Sequence, residues 1–305
     1  MVVFLRRRVI SSVVALLGVT VVVFFLARLT GSPAELYLPQ GASAEAVADF
    51  NAANGYGRPL GEQFLSFLGG ILRLDFGESV WQQRSAATVV LESMPQTLLL
   101  AVVAMGLSLA VSILLGTLAA LYAFRRTDKA ISFVSLGLAS VPEFWFALVG
   151  ILVVAVHLGL VPTSGQSGLG SWVLPVATLM LSPVGVLTQV VRAGMIDALH
   201  SGYVQNARAR GFGRWRLALR HALRNALLPI ITVAGDKAAG MVNGVIIVST
   251  VFAWPGVGAV MVRAVLNRDF AVIQAGVFVI GVAVILLNVF VDTLYAAADP
   301  RIRVS

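Results

Sequence analysis

Tyr203 to Pro229 reads YVQNARARGFGRWRLALRHALRNALLP, a basic stretch of about one loop's length between apolar runs at 172–192 and 229–252. Between Arg192 and Arg224 stand seven arginines and one acid, Asp197. Such charge is costly in hydrocarbon, so the stretch reads as a polar loop joining two membrane crossings. A membrane protein that places this much charge in one internal loop usually docks something there. The glycines Gly211 and Gly213 interrupt its helical pattern, which predicts two short helices meeting at a turn. Ala207 and Ala209 before the turn permit close backbone approach. After it, Trp215, Leu217, Leu219 and Leu223 are interleaved with Arg214, Arg216, Arg220 and Arg224. A partly amphipathic basic helix of this kind can lie on anionic lipid or seat in a groove of a cytoplasmic partner.

The rest of the chain supports the membrane reading. Of its 305 residues, 58% are hydrophobic and 12% charged, and the mean hydropathy is +0.91. A soluble domain cannot hide that much apolar surface. About 20 apolar residues cross the hydrocarbon core as a helix, and six stretches qualify: 9–29, 96–124, 131–158, 172–192, 229–252 and 272–295. The first resembles a signal peptide because Arg6-Arg7-Arg8 precedes it. Its uncharged run Val9 to Ala27 is 19 residues long, beyond the usual ~7–15, and no small-x-small site follows, so it is read as a retained helix.

Six crossings put both termini on one side. That side collects 15 of the 22 basic residues, including Arg125, Arg126, Lys129, Arg301 and Arg303, against three acids. The opposite side has six arginines and eight acids. The positive-inside rule therefore places both termini and the 193–228 loop in the cytoplasm. The pI near 10.7 reflects topology. With the charge split among short loops, nucleic-acid binding is not expected. The absence of cysteine excludes disulfides, iron–sulfur clusters and thiolate zinc sites.

Between the first two spans, 30–94 holds seven of the eight outward acids and several turn signals. Its run Glu62 to Leu74 is apolar but too short to span, which predicts an ordered outer cap with one or two short helices. Span two is expected to follow Pro95-Gln96-Thr97. Pro229 suits the first turn of span five. A Trp254-Pro255-Gly256 turn and a short apolar helix should precede span six, and Asp299-Pro300 should end it.

The lysines Lys129 and Lys237 both lie between Asp and Ala, so no GxxxxGK[ST] phosphate loop exists and any ATP must be bound by another chain. The histidines His157, His200 and His221 have no metal-ligand spacing, and Gly165-Gln166-Ser167-Gly168 is no nucleophile elbow. A catalytic centre and a metal site are therefore not expected. Glu143, Asp236 and Lys237 fall inside expected spans, where a charge costs about 2.5–3.5 kcal/mol. Two readings stay open. The three line a substrate path, or Lys237 pairs with a carboxylate and holds the bundle together.

The loop resembles the "EAA" loop of permeases from binding-protein-dependent ABC transporters, E-A-A-x-x-x-G, with Gln205, Asn206 and Ala207 at E-A-A and Gly211 at the glycine. It is closer to the dipeptide/oligopeptide/nickel branch, where A-R-A-[KR]-G precedes H-A-L-R-N-A-[LI]-[LI]-P. Here Ala207-Arg208-Ala209-Arg210-Gly211 is followed by His221 through Pro229. Four further stretches resemble the branch in order: Leu5-Arg6-Arg7 through Pro33, Leu74 through Ser79, Val251 through Gly258, and Asn288 through Arg303. The chain looks like the first, B-type permease of a pair.

The resemblance implies an all-α polytopic membrane protein with six transmembrane helices. It implies the type I ABC importer permease architecture, a single domain over 1–305, and an extracytoplasmic cap between helices 1 and 2. It implies a bacterial inner-membrane heterodimer with a second, C-type permease. The loop helix of each would seat in a cleft of one or two cytoplasmic ABC ATPases, and an extracytoplasmic binding protein would deliver the ligand. ATP and Mg would sit on the ATPases, leaving this chain no cofactor. ATPase closure would rock the bundles between outward and inward access. The coupling role falls on Gln205, Asn206, Ala207, Arg208 and Gly211. The implied cargo is a dipeptide or oligopeptide, with nickel, glutathione and haem as alternatives. A different class of mechanism, proton-coupled secondary transport through Glu143, Asp236 and Lys237, leaves the 203–229 loop unexplained.

Overall fold

The computed structural model describes residues 2–298, without the side chains of 2–9, 228, 292 and 294–298. The expected stop at Asp299-Pro300, the basic tail residues Arg301 and Arg303, and the side chains of Arg6 to Arg8 lie outside the described residues. In chain order the helices are α1 (Val2–Leu29), α2 (Ala34–Tyr37), α3 (Ala44–Ala53), α4 (Leu60–Arg73), α5 (Ala86–Leu121), α6 (Arg126–Ser140), α7 (Glu143–Gly150), α8 (Gly170–His200), α9 (Gly202–Ala209), α10 (Arg214–Arg216), α11 (Leu223–Val251), α12 (Val257–Leu266) and α13 (Phe270–Ala298). Helix α7 runs on as π-helix over Ile151–His157, and π turns over Leu217–Ala222 join α10 to α11.

Five stretches are long and apolar enough to cross a membrane: Ile10–Leu29, Ala86–Leu121, Gly170–His200, Pro229–Val251 and Phe270–Val291. The sixth crossing is the pair α6 and α7, bent by 97°. The straight span expected over 131–158 is therefore broken. Pro142 is the cause: its ring disfavours helical backbone at the preceding residue, and Val141 is extended, with φ −79° and ψ 127°. Two other prolines do not bound helices as expected. Pro95 lies inside α5, and Pro229 lies seven residues into α11. A proline removes one ladder hydrogen bond, and in a membrane helix continued packing on both sides tolerates that loss.

The helices form two compact units. One comprises Val2–Thr97 and Pro255–Leu286. Its core gathers Phe24, Phe67, Ile71, Phe76, Val89, Val90, Val257 and Val272, with Phe24 stacked on Phe67 at 5.1 Å between centroids. The cap between α1 and α5 holds three short helices, α2 to α4. Helix α4 buries Phe67 and Ile71 while Leu65 and Leu72 stay exposed. Polar contacts fasten this cap to the α12–α13 turn. Arg268 Nη1 donates to Ser32 O (3.1 Å) and pairs with Glu35 Oε2 (2.8 Å). The Tyr37 hydroxyl donates to Asn267 O at 3.0 Å. Asp269 caps α13 through Val272 N and also accepts from Ser79 Oγ (2.5 Å) and Trp81 N (3.3 Å).

The other unit comprises Leu98–Trp254 and residues 287–298, with α8 packed on α6, α7 and α11. Close approach depends on small residues. A Cβ on Gly185 would stand 2.5 Å from Ser135 O and 2.6 Å from Ala139 Cβ. At the start of α6, Asp128 is buried and receives Arg192 of α8 in a two-point ion pair of 2.5 and 2.8 Å. The amide of Phe124 completes it at 2.7 Å. Arg192 thus leaves the group of loop arginines and serves helix packing instead.

Candidate coupling surface and translocation path

Helix α9 carries most of the residues expected to couple. It begins after extended Ser201, whose Oγ donates back to Ala198 O at 2.5 Å. It ends before Gly211, whose φ of +81° suits glycine. Val204 and Ala207 face inward and pack with Leu217, backed by Leu199 and Phe212. Gln205, Asn206, Arg208 and Gly211 are exposed. Ala207 is therefore a seating residue of the helix, whereas the other four present to solvent. Gln205 also anchors the first turn, donating Nε2 to His200 O at 3.1 Å.

Beyond the turn the expected short second helix is not separate. Arg214–Arg216, the π turns and α11 follow one another without a break. Leu217, Ala218 and Ala222 are buried, while Trp215 and Leu219 are about half exposed at 49% and 52%. Arg216 lies over the Phe212 ring at 4.7 Å. With exposed Tyr203, Trp215 gives the basic surface aromatic anchors that the five-residue motif omits. The interleaving of Trp215 with arginines was the available signal.

The intramembrane charges are distributed on the same unit. Glu143 opens α7 just after the bend and faces α11, where a Cβ on Gly244 would lie 2.8 Å from its Oε2. Gly244 is seven residues beyond Lys237, two turns and about 10 Å along α11, so both occupy one face. Gly240 between them has no heavy atom near its Cβ direction. Among the described residues Lys237 makes no ion pair, and Asp236, exposed, points about a quarter-turn away. Glu143 thus stands beside the face of α11 that carries Lys237, and no ion pair joins the two among the described residues. Opposite charges placed in this way can hold two ends of a polar guest.

Residues 112–304 match the family described as the binding-protein-dependent transport system inner membrane component, and residues 1–101 match the N-terminal family of such membrane components. The chain belongs to this family. The permease is 35% identical to the oligopeptide transport system permease protein AppB of Bacillus subtilis, over 98% of this chain and 99% of that one. It is 34% identical to the oligopeptide permease OppB of Haemophilus influenzae, over 98% and 99%. It is 32% identical to the di/tripeptide permease DppB of Pseudomonas aeruginosa, over 98% of both. Among solved structures, an inward-facing MetNI methionine ABC transporter superposes with TM-score 0.56 at 15% identity, covering 69% of this chain and 96% of that chain. An amino acid ABC transporter gives 0.54 at 16%, covering 69% and 94%. These share the fold, that of a type I importer permease. The permease is a multi-pass inner-membrane subunit of a transport system.

Proposed function

We propose that this permease forms half of the translocation path of an ATP-driven peptide importer. The carrying observation is its full-length similarity to permeases named for oligopeptides and di/tripeptides. Its partner is a second, C-type permease. Gln205, Asn206, Arg208 and Gly211, with Tyr203 and Trp215 beside them and Ala207 seating the helix, dock in a cleft of one or two cytoplasmic ABC ATPases. Both termini are then cytoplasmic, and an extracytoplasmic binding protein delivers peptide on the other side. ATP and Mg belong to the ATPases, and this chain carries no catalytic centre, cofactor or metal. Glu143 and Lys237 offer opposite charges to a passing peptide, and Asp236 adds a carboxylate at the edge of that path.

A mild-detergent pull-down of the tagged chain from its native membranes tests the assembly, followed by ATPase assays of the recovered complex. The expected recovery is a second permease with P-loop ATPases, whose turnover rises with peptide-loaded binding protein. A folded chain recovered alone would reject the coupling reading. Stimulation by nickel, glutathione or haem but by no peptide would reject the cargo.

A further inference from the structure

A cavity of about 450 Å³ lies within the unit that holds the cap, a size usual for small-molecule sites. Three hydrogen-bond donors line it without protein acceptors. Arg28 sits over the Phe24 ring at 3.8 Å and gives Nε to Gln63 Oε1 at 3.3 Å, yet its buried Nη1 has no partner. Gln63 is fixed in that orientation because its Nε2 donates to Tyr56 O (3.1 Å) and Arg58 O (2.9 Å). Gln274, only 3% exposed, leaves Nε2 unpartnered. The Tyr56 hydroxyl finds no acceptor among the described residues. Burial, and then the nearby Asp269 carboxylate, push this phenol up to about 12, so it remains a neutral donor.

The two buried donors, Arg28 Nη1 and Gln274 Nε2, call for an acceptor, and a guanidinium beside a neutral N–H and the O–H of half-buried Tyr56 suits an oxyanion. No acid already fills that role. The acids lining the cavity, Asp75 and Glu78, are exposed and form no ion pair with Arg28. Asp75 Oδ1 accepts from Gly77 N at 3.0 Å, a bond that keeps its charge, so both carboxylates can still meet a cation. Phe67 and Phe270 supply apolar wall to the same cavity. The wall therefore provides for an oxyanion, for an ammonium and for a short apolar stem.

We propose that this cavity binds a short free peptide by its two charged termini, with the carboxylate on Arg28, Gln274 and Tyr56 and the ammonium on Asp75 or Glu78. The inference rests on the peptide reading of the permease. A phosphoethanolamine lipid headgroup carries the same pair of charges, so the test must separate the two.

The complete importer, without its binding protein, is placed in phosphatidylcholine nanodiscs and titrated with radiolabelled Ala-Ala. The expected result is saturable binding. N-acetyl-Ala-Ala and Ala-Ala-amide should each compete at least tenfold more weakly, an arm that needs no substitution. Gln274→Leu and Arg28→Gln should each weaken Ala-Ala binding at least tenfold. Equal competition by the blocked peptides, binding indifferent to both substitutions, or no binding because only water fills the cavity would overturn the proposal. So would co-purified phosphatidylethanolamine, seen by native mass spectrometry and lost in Gln274→Leu, together with no Ala-Ala binding. In the same preparation, ATPase stimulation by Ala-Ala-loaded binding protein separates the two failures. Stimulation without cavity binding rejects this site alone, whereas loss of both rejects peptide as the cargo.

Discussion

Replacing Asp128 by Asn keeps the side chain's shape and removes its charge. Arg192 then loses its counter-ion while its side chain is only 24% exposed, and the partner carboxylate site is 3% exposed. Removing one partner of a buried ion pair costs about 3–5 kcal/mol. Arg192 keeps some access to solvent, which brings the loss below that range, to roughly 2–3 kcal/mol. At ~2–4 °C per kcal/mol for a domain of roughly this size, the melting temperature should fall by roughly 4–12 °C. Tryptophan fluorescence during heating in mild detergent reads the shift. Arg192→Gln should lose a comparable amount, and the double variant should recover much of it, giving a coupling near 2 kcal/mol in the mutant cycle. A single-variant shift within ~1 °C, or losses additive within about 0.5 kcal/mol, would show that the pair contributes nothing to the packing of α6 on α8.

The remaining expectations concern other parts of the fold. Gly185→Ala should destabilise by about 1–3 kcal/mol, read by the same melt, because its Cβ meets backbone and Ala139 with no flexible end to yield. Gly244→Ala should cost about 1 kcal/mol in the same melt, because its Cβ would stand 2.8 Å from Glu143 Oε2 and 3.2 Å from Cδ2 of buried Leu179, and it should alter peptide transport by displacing that carboxylate. Gln205→Glu should keep stimulated ATPase turnover within ~3-fold. The lost bond to His200 O, about 1 kcal/mol, is offset by roughly 0.3–1 kcal/mol from a negative charge near a helix N-terminus. Tyr37 and Tyr56 are both pushed up to about 12, chiefly by burial and then by Asp269. Their neutral forms thus favour the fold fully below pH 10, and this contribution fades as pH rises toward 12. Phenolate absorbance should show the two late titrations, which Tyr37→Phe and Tyr56→Phe remove one by one.

The crossings were legible because each needs only a long apolar run, and Val9 to Ala27 or Val272 to Val291 has little else. Where proline breaks a helix was not legible. Pro95, Pro142 and Pro229 look alike in sequence, yet only Pro142 produces a sharp bend. The difference is tertiary: α5 and α11 are packed on both sides of their prolines, so continuity outweighs one missing bond. The helix–turn form of the proposed coupling loop was readable from Gly211 and Gly213. Which of its members points outward was not, because the contact between Ala207 and Leu217 crosses a turn. Arg192 counted as loop charge until α8 proved longer than its apolar stretch. Gln274 gave no signal at all, since one amide in an apolar helix looks the same whether it faces solvent, lipid or a cavity.

The unbroken run from Arg214 to Val251 makes the proposed docking end and the charged face of α11 parts of a single helical run, roughly 55 Å long. Such a run transmits rotation as well as thrust. A twist applied beside Trp215 is carried along continuous helix toward Lys237 and Gly244. The π turns at Leu217–Ala222 set the phase between the two ends, because a π turn holds more residues per revolution than an α turn. Under the proposed coupling, loops exchanged between importers would need to match in angular register as well as in the residues offered to the ATPase.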